Sequence, residues 1–349
     1  MVRGSPRALL LLLLLRAAGA RTNASDAEDC ALTAERPWAL IPGAVKAGST
    51  AMHSALVAAL GVGGRKEVYY FNDDAAYARG GYGRLLGCGA GPRIDGSPMY
   101  LAHPRALGRA ARDAPWAKWV VMLREPVDRA FSHVTMLRRF AGPAVSGGRE
   151  AGFLAAVEAE AACLEAALAR SRREGAAADT KRAFAACVKT PLGGDLAALA
   201  PRGKLALYGV RHGVLSQSLY APQLAAACDA IRAAGAEATI IAVSQRALYD
   251  DGPATARAVL DALGVPGAAV PAAIRTYESL SGDREASAVR PGDTYVGHRR
   301  RIPAAALGRL DALYRRPNCA LADALRDAKI AARVGLGADA WLSDCEGEL

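Results

Sequence analysis

The chain has 349 residues, 52% of them hydrophobic and 22% charged, with a formal net charge of +10. That balance excludes a disordered chain and a membrane-embedded bundle, and it fits a globular protein of one or two domains. A basic surface attracts anionic partners, and the first segment of the chain narrows which anions those are.

Residues 1–20 carry Arg3 and Arg7 at the head, an apolar run from Ala8 to Leu15, and the small residues Ala18, Gly19 and Ala20. The run stops at Arg16, well short of the ~20 residues that a spanning helix needs. This is the pattern of a cleaved signal peptide, with a short signal anchor as the alternative. No other stretch is long and apolar enough to cross a bilayer. Removing residues 1–20, which hold three arginines and no acid, leaves a charge of +7. Asn23-Ala24-Ser25, in the N-terminal segment 21–37, is a glycosylation sequon. The expected address is the secretory pathway, either the Golgi lumen or the exterior. Nucleic acid fits the charge but not that address, whereas an acidic polysaccharide fits both.

Trp38 to Ile41 reads as a buried strand feeding a Pro-Gly turn. Ser49 to Leu60 reads as a helix stopped at Gly61, and Val68 to Phe71 as a second strand or an extended loop. Trp116 to Leu123 is the clearest strand, with Pro126 where a helix can begin. Glu150 to Val188 reads as a helical insertion split at Gly175. Thr239 to Val243 is another buried strand, with helix around Pro253 to Leu263. Gly264 to Pro303 lacks periodicity, and connections of that length are usually functional lids or disordered. Alternating strands and helices predict an α/β fold: a P-loop-like parallel sheet flanked by helices, in one domain with a helical insertion.

The seven cysteines include no C-x-x-C pair, which argues against zinc. In an oxidising compartment some should pair. Cys163 and Cys187, flanking a charged helical stretch, are the first candidates; the alternative is that several are small buried hydrophobes.

Two segments carry chemistry. In Ile41-Pro-Gly-Ala-Val-Lys-Ala-Gly-Ser-Thr50, Gly43 and Gly48 keep the spacing of a Walker loop, but the lysine sits inside the loop at position 46 and serine follows Gly48. Backbone N–H groups at a helix start favour an anion; a purely structural glycine-serine turn is the competing explanation. The second segment is Leu123 to His133, in which Arg124 leaves the strand and Ser132 lies two turns into the next helix. These two can converge on a second phosphate; alternatively Arg124, Glu125 and Arg129 form a solvated helix start.

Together the segments resemble the sulfotransferase family that uses 3′-phosphoadenosine 5′-phosphosulfate, and within it the Golgi heparan sulfate and carbohydrate branch. Lys46-Ala-Gly-Ser-Thr50 resembles that family's 5′-phosphosulfate loop, and Arg124 to Ser132 its R-x-P-x-x-R-x-x-S motif. Arg65 to Asp73 is similar to the branch's K-E-V-H-F-F-D segment, and Asp95 to Tyr100 to its E-K-T-P-x-Y segment. Tyr69 stands for the histidine and Gly96 for the lysine of those segments. The resemblance implies a sulfotransferase domain over residues 38–335, a tail over 336–349, the phosphosulfate nucleotide as co-substrate, no metal, and a carbohydrate hydroxyl or amine as acceptor.

It also implies roles for individual residues. Lys46, Ala47, Gly48, Ser49 and Thr50 would hold the 5′-phosphosulfate, with Lys46 on the bond that breaks. Arg124 and Ser132 would grip the 3′-phosphate, and Gly297, His298 and Arg299 take the place of the cofactor lid. Glu67 would be the general base, while its neighbour Lys66 is expected on the opposite face, as alternation along a strand demands. Arg65, Lys66, Arg79 and Arg84 are candidates for an acidic acceptor's path. The competing functions are a P-loop kinase and a non-catalytic glycan-binding descendant of the same fold.

Overall fold

The computed structural model describes residues 39–87, 92–141, 149–170, 176–193, 213–272, 274 and 302–343. The leader, the sequon, and Gly297, His298 and Arg299 lie outside them. In chain order the elements are β1 (Ala39–Gly43), α1 (Ser49–Leu60), β2 (Gly63–Lys66), α2 (Asp74–Arg79), α3 (Tyr82–Leu86), β3 (Arg93–Gly96), α4 (Pro104–Asp113), β4 (Lys118–Leu123) and α5 (Pro126–Ala141). They continue with α6 (Arg149–Arg170), α7 (Ala176–Cys187), α8 (Tyr220–Ala233), β5 (Ile240–Ser244), α9 (Gln245–Asp250), α10 (Gly252–Leu263), α11 (Ala304–Ala324), β6 (Ile330–Val334) and α12 (Ala340–Ser343).

The strands form one six-stranded sheet in the order β2-β3-β1-β4-β5-β6, and every pairing is parallel. The expected α/β class is therefore the one observed. Strands β1, β4 and β5 are buried almost throughout, as parallel strands covered on both faces must be. Pro42 cannot donate to a ladder, and the pairing of β1 with β4 is irregular between Leu40 and Gly43, where it sits. Chain order reverses at β1, whose neighbours β3 and β4 come later in the sequence. Crevices at the carboxyl ends of such strands are where α/β sheets bind ligands.

Two apolar cores meet at that edge. One wraps the sheet and includes Ala44 and Ala47; the other lies among α5, α6, α7 and α11 and includes Val45 and Tyr69. The loop after β1 is thus pinned on both sides. The expected helical insertion is α6 and α7, joined by the Cys163–Cys187 disulfide. Cys228 is a free, buried thiol.

Of the two alternatives for Val68 to Phe71 the loop is observed, beyond an unanticipated second strand at Gly63–Lys66. Strands β3 and β6 went unanticipated: Arg-Ile-Asp-Gly is short, and Ile-Ala-Ala-Arg-Val is an edge strand whose residues are mostly half-exposed. The Trp116 to Leu123 strand begins only at Lys118. Packing continues past 335, where Leu336 is buried and the Trp341 ring lies 6.2 Å from that of Tyr220.

Candidate functional site

A cleft at the carboxyl edge of the sheet is lined by Lys46, Gly48, Ser49, Thr50, Lys66, Glu67, Arg124 and Ser132, among others. These come from the segments and helices that follow β1, β2 and β4, with Lys66 the last residue of β2 itself. The Ala44 N–H donates to the Met122 carbonyl at 2.9 Å, tying the loop to β4 as β1 ends. Lys46 and Gly48 both adopt left-handed backbone, φ 65° and 89°. Glycine does so freely and lysine does not, so the turn is set by its surroundings. Gly48 precedes α1 without a side-chain cap, and no acidic residue stands in the first turn. The helix start therefore presents N–H groups and the positive end of its dipole to the cleft, an arrangement that binds anions.

Ala47 corrects one expectation. It is fully buried, and its N–H is committed to the Ala44 carbonyl at 3.2 Å. It supports the turn and offers no donor to a ligand.

On the β4 side, Arg124 is 6% exposed and donates from Nη1 to the Lys46 carbonyl at 3.0 Å. Glu125 caps α5, its carboxylate accepting from the N–H groups of Val127 and Asp128 at 3.1 and 2.7 Å. Ser132 and Met136, one helical turn apart, both line the cleft. The alternative of a solvated helix start fails at Arg129, which is fully buried. Its Nε donates to Ser218 Oγ at 2.5 Å, Nη1 to the Val45 carbonyl at 3.4 Å, and Nη2 to the Val214 carbonyl.

The β2 side holds the second correction. Lys66 and Glu67 line the same cleft. Strand alternation ends at Lys66, and Glu67 turns into left-handed backbone at φ 62°. Three bonds hold the turn: the Glu67 N–H to the Gly96 carbonyl at 3.0 Å, and the Val68 and Tyr69 N–H groups to Ser97 Oγ at 2.9 and 3.1 Å. Ser97 in turn donates to Asp95 Oδ1 at 2.6 Å, and Asp95 Oδ2 accepts from Tyr82 and Tyr100 at 2.7 and 3.0 Å. Burial raises the Asp95 carboxyl to about 6 against those hydrogen bonds. Burial also lowers the Lys66 ammonium to about 8, and Lys46 adds to the effect.

Gln245 and Tyr249 after β5, and Pro98 after β3, also line the cleft. The sequence reading missed them, although Thr239 to Val243 was read as a buried strand and residues just past such a strand face the crevice. Arg65 points elsewhere, donating to the Leu85 carbonyl at 2.9 Å. It does not line the cleft, and neither do Arg79 and Arg84.

Among the described residues no group of three or more His, Cys, Asp or Glu could hold a metal ion, and no helix is long and apolar enough to cross a membrane. No protein-family model and no curated protein matches the chain. Among solved structures it is similar to a sulfotransferase from Alicyclobacillus acidocaldarius, at 20% identity over 84% of this chain and 97% of that one, with a TM-score of 0.48.

Proposed function

We propose that the cleft binds 3′-phosphoadenosine 5′-phosphosulfate and transfers its sulfuryl group to a carbohydrate hydroxyl or amine. One observation carries this reading. A single cleft holds a lysine-bearing loop at an uncapped helix start, an arginine-serine pair from the adjacent strand, and a carboxylate on its far wall. Lys46, Gly48, Ser49 and Thr50 suit the 5′-phosphosulfate. Arg124 and Ser132 suit a 3′-phosphate, and Met136 and Tyr249 give apolar surface for the purine.

Glu67 takes the acceptor proton as the new oxygen–sulfur bond forms. The sulfur–oxygen bond to phosphate breaks, and its electron pair stays on the departing phosphate. Lys46 offsets the charge that grows there, where a fixed cation counts most. Gly48, Ser49 and Thr50 hold the remaining oxygens. The net positive charge supports an acidic glycan as acceptor, and the leader-like residues 1–20 support a lumenal setting.

Thermal shift tests the reading. Saturating 3′,5′-adenosine bisphosphate should stabilise the protein, by about 2.7 kcal/mol at a hundredfold excess over Kd. No shift with this ligand, alongside one with Mg-ATP, replaces the reading with a P-loop kinase.

A further inference from the structure

Lys66 has no part in the scheme above, yet its side chain reaches deep into the same cleft. The stem passes over Gly96: a Cβ there would lie 2.7 Å from Lys66 Cδ and 2.8 Å from His53 Cδ2, so only glycine leaves the path open. The ammonium ends 3.2 Å from Ser49 Oγ, at the first turn of α1. Among the described residues that neutral hydroxyl is its one hydrogen-bond partner, although an ammonium carries three donors. The charged and titratable groups facing it are Glu67 at the end of its own strand, Asp95 on β3, Lys46 in the loop and His53 on α1. Desolvation and the Lys46 cation disfavour its charge, Glu67 and Asp95 favour it, and two of its three donors find no acceptor among the described residues. An anion in the cleft would serve it well.

Resting on the sulfuryl-transfer reading, we propose that Lys66 is a second catalytic cation, which leaves Ser49 when the donor binds and grips the non-bridging oxygens of the transferring sulfuryl group. Its location fits that task. Ser49 marks the donor side and Glu67 the acceptor side, and the sulfuryl group must pass between them. Lys46 serves the oxygen that leaves, whereas Lys66 stays with the group that moves. Lys66 keeps its proton throughout, so bonds and protons balance as already described.

The test compares two ligands by calorimetry on the full chain: the phosphosulfate donor, and 3′,5′-adenosine bisphosphate, which lacks the sulfuryl group. Lys66→Met should weaken the donor roughly tenfold or more while leaving the bisphosphate within about threefold. Gly96→Ala keeps the lysine but fills its path, and should show the same selective loss. In the wild-type protein, preference for the donor should decline as pH rises through about 8. His53 and Asp95, at about 4 and about 6, do not change charge in that range. Lys66→Arg, which stays charged, should keep the preference to higher pH. Unchanged selectivity in Lys66→Met, or a wild-type preference indifferent to pH, overturns the role of Lys66 alone. Should either substitution prevent folding, the wild-type pH series decides. A wild-type protein that binds neither ligand overturns the sulfuryl-transfer reading and this inference with it.

Discussion

The guanidinium of Arg124 donates to the main-chain carbonyl of Lys46 at 3.0 Å. The arginine proposed for the 3′-phosphate thus also holds the residue proposed for the 5′ end. Asp128 Oδ2 lies 3.9 Å from the same guanidinium and helps orient it. Grip at one end of the nucleotide and geometry at the other are therefore coupled through a single side chain.

Arg124→Ala should weaken 3′,5′-adenosine bisphosphate about ten- to a hundredfold, the range expected for a lost charge-assisted contact. It should also lower turnover, because the Lys46 carbonyl loses its donor. Lysine at 124 should recover only part of the affinity, since it cannot hold a phosphate and a carbonyl in one planar fork. Calorimetry that shows wild-type affinity in the alanine variant would contradict the assignment.

Lys46→Gly separates charge from backbone strain. At φ 65° glycine is relaxed where lysine is not, so the variant should unfold at the same temperature as wild type or higher. Its kcat should nevertheless fall about a hundred- to a thousandfold, as when a preorganised transition-state contact is removed. A variant that loses stability and turnover together would mean that the lysine is structural.

Glu67→Gln preserves the shape of the side chain and removes the base. The expected loss of sulfation is about a hundred- to ten-thousandfold, with bisphosphate binding unchanged. Retained turnover in an assay with radiolabelled donor would exclude Glu67 from proton transfer.

Arg129→Met should destabilise the protein by about 3 kcal/mol or more, because it strands the carbonyls of Val45 and Val214 in a buried setting. Denaturant melts measure this directly. An effect below about 1 kcal/mol would show that water replaces the guanidinium.

The Asp95 carboxyl is raised from 3.8 to about 6, so the native state holds this proton more tightly than the unfolded chain does. The resulting stability is complete below pH 3.8 and disappears as pH climbs towards about 6. Asparagine cannot ionise. The difference in unfolding free energy, wild type minus Asp95→Asn, should therefore shrink across that window by up to roughly 3 kcal/mol and stay level above it. A flat difference would place the carboxyl at its ordinary value.

Strands β1, β4 and β5 were legible because they sit in the middle of the sheet and are apolar on both faces. Strands β2 and β6 lie at its edges, where Gly-Gly-Arg-Lys and Ile-Ala-Ala-Arg-Val give no such run. Strand β3 is interior but only four residues long, with a buried aspartate at its centre. The convergence of Lys46, Ser49, Arg124 and Ser132 was legible because loops after neighbouring parallel strands open on one edge. Lys66 was misplaced for a local reason: strand alternation describes extended backbone, and the chain leaves that geometry at Glu67. The burial of Arg129 was hidden too, since its partners Val45, Val214 and Ser218 are far from it in the chain and meet only after folding.

That arginine has an architectural consequence. It fastens the turn after the first strand to the 214–218 segment, and Glu160 on the helical insertion secures the same segment by accepting from the main-chain N–H groups of Leu215 and Ser216. The inserted helices are thus a buttress behind the turn proposed to hold the anion, not an ornament on a finished fold. Trimming the inserted helices would take Glu160 from the 214–218 segment and open the apolar core they share with α5 and α11.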